Sequence, residues 1–242
     1  MSNILNQKFL KIIEKLNNKK TDKKNLRILD WGCGKGDLVK FLNNNGYDCY
    51  GLEVVDNKKA KNHLELYENE LLKDKIFYIK HDNMTRFTPN FFDIVITNQV
   101  LEHMSNKIDF INELKRILKT GGFSYNILPA KFRFFEVHLK MPFVHWVPKN
   151  GLRKFLIIFF NIFKINHWSE CKNLSFFQQA QYYFDYSVNK TFYLGANDLF
   201  NVFKKNGFYV NESRSKNKIF NNIFIQFLKN NFISIEFLAT KK

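Results

Sequence analysis

Cysteine is scarce in this chain of 242 residues, and Cys33, Cys49 and Cys171 are its only three. They show neither a pairing framework nor metal-ligand spacing, which excludes a disulfide scaffold and agrees with a reducing cytosol. Long apolar runs are missing too. The longest extends from Phe155 to Phe160, far short of the roughly 20 residues a membrane-spanning helix needs. The N-terminal stretch MSNILNQKFLKIIEKLNNKK is amphipathic and polar and lacks the apolar segment of a secretory signal. Acidic residues number 22 against 38 basic ones, and arginine accounts for only six of those 38. The chain therefore reads as cytoplasmic, with peripheral contact at the inner membrane face as the alternative.

What is present is a globular composition, 45% apolar and 25% charged, enough to bury a sizeable core and too apolar for a disordered chain. Net charge is +16, and the segment 28–130 is close to neutral, so the excess lies on either side of it. A basic surface ordinarily implies an anionic partner: phosphates, nucleic acid or a membrane face. Lysines outnumber arginines 32 to 6, alongside 31 asparagines and 28 phenylalanines, a bias that A/T-rich coding alone also produces.

Along the chain, residues 3–16 form a helical apolar stripe. After a charged, turn-like stretch, a short apolar run at 26–30 reads as a buried strand. Helices near 36–45, 57–72 and 106–118 then alternate with strands at YDCYGLEV, Ile76–Lys80, Phe92–Thr97 and Phe123–Leu128. This alternation implies right-handed crossovers and a largely parallel sheet covered on both faces. Residues 131–190 break the rhythm with an aromatic-rich insertion, expected to be a cap over the substrate. A helix near 196–206 follows, closed by Gly207. Strands near Phe208–Ser213 and Phe232–Thr240, joined by a basic and polar connection, read as a final antiparallel hairpin. The expected organisation is one domain over 1–242: an N-terminal helix (1–25), a cofactor-binding core (26–130), the cap (131–190) and the end of the sheet (191–242). The expected class is α/β, a Rossmann-like, seven-stranded, mostly parallel sheet.

The sequence Leu29-Asp30-Trp31-Gly32-Cys33-Gly34-Lys35-Gly36-Asp37 leaves the first strand and opens a helix. Its glycines permit positive φ and close backbone approach to a ligand. Glu53, ending the second strand, is placed to accept hydrogen bonds from ribose hydroxyls. The dinucleotide fingerprint G-x-G-x-x-G seats a pyrophosphate on the helix N-terminus. Here the third glycine arrives one residue early and Asp37 starts the helix. A carboxylate there repels a pyrophosphate and, with Asp30, suits a cationic ligand.

These residues resemble the class I S-adenosylmethionine-dependent methyltransferases, particularly the small-molecule subgroup with ubiquinone-type and surface-polysaccharide enzymes. LDWGCGKG is similar to the family's first motif, YGLEVVD to its second, HDNM to the adenine turn, FFDIVITNQVLEHM to the fourth-strand motif and LKTGG to the turn before the fifth strand. The resemblance implies that Asp30 and the loop Gly32, Cys33, Gly34 and Gly36 hold the methionine part of S-adenosylmethionine. It implies Glu53 on the ribose, Asp82 on the adenine amino group, the Asn83 backbone facing the ring, and Asn98 lining the floor. Lys35 and His81 depart from residues common in the family.

Transfer to a hydroxyl also needs a base, for which histidine is the usual choice. His103, in LEHM, and His145, in MPFVHWVP, are the catalytic candidates, with His138 behind them. No carboxylate or histidine cluster stands at ligand spacing, so no metal site is expected. The expected acceptor is a small, anionic molecule carrying a hydroxyl, such as a sugar, nucleotide-sugar or surface-polysaccharide precursor. The alternatives are a lipid or polyprenyl phenol at the membrane face, or a catalytically silent S-adenosylmethionine-binding protein. Asn98 is followed by Gln99-Val100-Leu101, without the clamp that holds a flipped base, which disfavours nucleic acid.

Overall fold

A computed structural model describes residues 2–17, 22–54, 72–79, 85–165, 171, 173–212 and 223–242. The helix expected near 57–72 lies mostly outside these, as do Asp82 and Asn83. Seven strands form one sheet: β1 (Arg27–Trp31), β2 (Asp48–Val54), β3 (Ile76–Ile79), β4 (Phe92–Asn98), β5 (Leu118–Pro129), β6 (Phe208–Glu212) and β7 (Ser234–Lys241). Their order is β3-β2-β1-β4-β5-β7-β6. The first five pair in parallel, and β7 is antiparallel to both β5 and β6.

The described helices are α1 (Ser2–Leu16), α2 (Asp37–Asn44), α3 (Lys107–Ile117), α4 (Gly151–Ile162), α5 (Phe176–Asn189), α6 (Ala196–Lys205) and α7 (Ile223–Phe232). The period of two along β1 sends neighbouring side chains to opposite faces. Ile28 joins the apolar cluster beneath α1 and α2, where Phe9, Ile13, Val39 and Leu42 are buried. Leu29 and Trp31 join the other face, with Phe110 and Leu114 of α3 and Leu199 and Phe203 of α6. A third cluster, Leu139, Met141, Val144, Ile157, Cys171, Ala180 and Tyr183, lies in the insertion, where α4 packs on α5.

The closing strands correct one expectation. They are hydrogen-bonded neighbours, but the connection between them contains α7 and is no simple polar turn. The run IFIQFLKNNF carries enough apolar side chains to pack a helix on β7. Among the described residues, no helix is long and apolar enough to cross a membrane.

Candidate active site

The glycine-rich loop leaves the C-terminal end of β1, the side of an open α/β sheet where ligands collect. Gly32, Gly34 and Gly36 have φ of +84°, +53° and +73°, values that L side chains rarely adopt. A Cβ on Gly32 would lie 2.3 Å from Cγ2 of Val100, and one on Gly36 would lie 2.5 Å from Cδ1 of Ile76. Gly34 differs: among the described residues beyond its chain neighbours, no atom lies within 4 Å of its Cβ position. Two of the glycines are therefore dictated by packing, and the third faces open space.

Glu53 closes this cradle. Its Oε2 accepts from the Gly34 N–H at 2.6 Å, and its Oε1 from the Val54 N–H at 3.1 Å. Asp30 is buried and, among the described residues, makes no ion pair. Burial first, and the Glu53 charge second, push its carboxyl up to about 7. Among the described residues neither carboxylate makes an ion pair, and two such groups beside a glycine turn are what a sulfonium or ammonium group would stabilise, so the residues present suit S-adenosylmethionine. The buried Cys33 thiol, its pKa raised by burial and by Asp30, packs over Gly51, so it serves the loop as a small apolar group. Asn98 ends β4, half-buried.

The two histidines singled out from sequence are not together. His103 sits in the turn Leu101–His103, and its Nδ1 donates to the Lys190 carbonyl at 2.6 Å. Its ring lies 4.7 Å from that of His138, at 69°. His145 is buried beside Tyr193, with ring centroids 5.1 Å apart and an Nδ1 that has no hydrogen-bond partner among the described residues. Burial, opposed by Glu136 and reinforced by Arg153, lowers its pKa to about 4. A base matched to neutral pH needs a higher value, which counts against His145.

Glu136 organises this region and was not anticipated. Its carboxylate accepts from the His138 N–H, the Leu139 N–H, His138 Nδ1 and the Tyr193 hydroxyl. Burial alone would raise its pKa; His138, Tyr193 and the Leu139 amide override that and hold it at about 2. Glu102, also unanticipated, is wholly buried, and among the described residues neither carboxylate oxygen has a hydrogen-bond partner. Burial raises its pKa to about 7. Contrary to the expectation of no ligand cluster, Glu102, His103 and His138 come together across two segments. Sequence spacing carries no signal of this because His138 belongs to the insertion.

A cavity of about 600 Å³ opens beside this cluster. Lys107, Lys131, Lys149, Arg153, His145, Trp146 and Tyr193 are among its lining residues, none of which is acidic. Lys107 Nζ donates to the carbonyls of Met104 and Phe192, Lys149 Nζ to those of Val188 and Thr191, and Arg153 to those of Val147 and Ser187. Among the described residues these three cations thus have carbonyl partners and no carboxylate ion pair. Burial lowers the pKa of each, that of Lys107 to about 8.

Residues 3–213 match the family described as a methyltransferase domain. The chain belongs to this family, the class I S-adenosylmethionine-dependent methyltransferases. A ubiquinone biosynthesis O-methyltransferase of Rickettsia typhi is 28% identical over 142 residues, covering 57% of this chain and 56% of that protein. A probable tocopherol O-methyltransferase of rice is 31% identical over 103 residues, 42% of this chain and 28% of the relative. The chain thus spans little more than half the length of the ubiquinone relative. A putative S-adenosylmethionine-dependent methyltransferase of Listeria monocytogenes shares the fold at a TM-score of 0.52, with 12% identity over 95% of this chain and 97% of that one.

Proposed function

We propose that this methyltransferase moves the methyl group of S-adenosylmethionine onto a hydroxyl of a small anionic acceptor, of the sugar, nucleotide-sugar or polysaccharide-precursor class. The cavity carries this reading: several cations and no carboxylate line a space large enough for such a molecule. Bound cofactor supplies an electrophilic methyl on a cationic sulfur. The chain supplies orientation and electrostatics. Asp30 and Glu53 hold the donor's positive charge and ribose. Lys149, Lys131 and Arg153 draw the acceptor's anion, and His103 takes the hydroxyl proton. The work is cytoplasmic.

Exposed aromatic side chains favour a second reading, a prenylated phenol taken from the membrane face. Phe132, Phe134, Phe135 and Trp146 are exposed, and Phe132 contacts Phe232 at the end of α7, which also exposes Phe224 and Phe227. Lys131 lies over the Phe132 ring, and aromatic residues flanked by cations suit a lipid interface. The names of the ubiquinone and tocopherol relatives agree with this acceptor class.

Radiolabelled methyl transfer, assayed with nucleotide-sugars and with a polyprenyl phenol in anionic vesicles, separates the two. Label on the soluble acceptor supports the first reading. Label only on the vesicle acceptor, with co-flotation of the protein, replaces it. For the donor side, S-adenosylmethionine should raise the melting temperature of the wild type. Glu53→Ala should lower affinity by on the order of 100-fold, the loss of charge-assisted hydrogen bonds to two hydroxyls. A wild type that shows no shift rejects the methyltransferase reading altogether.

A further inference from the structure

We propose that Glu102, His103 and His138 form a binding site for one divalent transition-metal ion. Each offers one ligand atom, and these atoms lie within 4.8 Å of one another. Coordination at about 2.0–2.2 Å from each donor requires them to close by roughly an ångström, within reach of side-chain adjustment.

Glu102 is the observation that needs an explanation. It is wholly buried, and neither oxygen accepts or donates a hydrogen bond among the described residues. A buried carboxyl group without partners is costly in either protonation state, since the neutral acid also has an O–H to place. Lys107, the nearby cation that acts on it electrostatically, has its ammonium group on two backbone carbonyls. A metal ion would satisfy the oxygens that the fold leaves without a donor.

The two imidazoles are held as ligands usually are. Nδ1 of His103 is fixed on the Lys190 carbonyl and Nδ1 of His138 on the Glu136 carboxylate at 2.9 Å. Orientation of one ring nitrogen by a carbonyl or carboxylate sets the tautomer and aims the other nitrogen at the metal. Glu136 is itself held by the Tyr193 hydroxyl and two backbone amides, so the supporting shell is complete before any ion arrives. Two nitrogens and one carboxylate suit zinc, iron(II), cobalt(II) or manganese(II) better than calcium or magnesium, which prefer all-oxygen sites. With three protein ligands, the ion keeps open positions.

The site also has a place in the fold that makes it useful. The turn bearing Glu102 and His103 follows Val100, whose Cγ2 occupies the space a side chain on Gly32 would need. With the ion bound, His103 is a ligand and no longer the base, and the ion itself would lower the pKa of a coordinated acceptor hydroxyl. This last point rests on the proposed methyl transfer, whereas the metal site itself does not.

The test uses the full chain, free of affinity-tag histidines and stripped with a chelator, titrated with cobalt(II) and then with zinc. The expected result is one saturable equivalent of cobalt with visible d–d absorption, displaced by zinc. Glu102→Gln and His138→Gln should each weaken binding by at least 100-fold. Both variants should keep the S-adenosylmethionine-induced rise in melting temperature, which shows that they are folded. A wild type without saturable binding overturns the proposal, and so does unchanged affinity in either folded variant. Cobalt binding without any S-adenosylmethionine shift would leave the metal site standing and remove the methyltransferase reading.

Discussion

Asp30→Asn should stabilise the cofactor-free protein at pH 8 and at the same time weaken its hold on S-adenosylmethionine. The wild-type carboxyl is raised from 3.8 to about 7 by burial and by Glu53. For an acid raised in this way, the folded state favours the neutral form. The stabilising contribution is complete below about 3.8 and is lost as pH rises through about 7. A displacement of that size corresponds to at most about 4 kcal/mol at pH 8, and relaxation makes about 1–3 kcal/mol the realistic gain from asparagine. That is a rise in melting temperature of roughly 2–4 °C per kcal/mol in a chain of this size. At pH 3 the two proteins should melt together. The affinity loss arises because asparagine no longer offers a charge to the donor's cation. Thermal melts across pH 3–8, with and without S-adenosylmethionine, check both halves; an asparagine variant that is less stable at pH 8, or that binds normally, contradicts the assignment of Asp30.

Glu136→Ala should produce the largest loss of stability. Its carboxylate is buried and serves four donors in the insertion, two amides, an imidazole and a phenol. Removing one member of a buried charged network typically costs about 3–5 kcal/mol, or about 10 °C here. The acid limb gives an independent check with Glu136→Gln. The wild-type group is held at about 2, below its ordinary 4.5. It contributes stability above about 4.5 that disappears as pH falls toward 2. Wild type should therefore lose more stability between pH 5 and pH 2 than the glutamine variant does. Denaturant titrations at the two pH values measure this, and parallel losses would show that Glu136 is not the ionised hub of the insertion.

The glycine turn was legible in the sequence because it is local. The strand, the glycine turn and Asp37 opening a helix form one continuous segment, and α2 and α3 stand between β1 and β2 and between β4 and β5 as the periodicity predicts. Glu53 was expected near the end of β2, and it stands there with the Gly34 amide on its carboxylate. The cluster around Glu102 and Glu136 was not legible, for a physical reason. Glu102 looks like a helix-turn residue, Glu136 like a surface charge and His138 like one histidine among six, until the insertion folds back onto the turn after β4. His145 carried the more conspicuous sequence context, yet burial leaves it a weak base. The helix α7 was missed because asparagine and lysine bracket its apolar stripe, and the segment before it is basic and polar.

The apolar cluster between α4 and α5 shares no buried residue with either face of the sheet. Energetic changes there should be additive with changes in the sheet, since distant sites without common partners rarely couple. That cluster can therefore be repacked with little effect on the glycine loop, Asp30 and Glu53, which belong to the sheet.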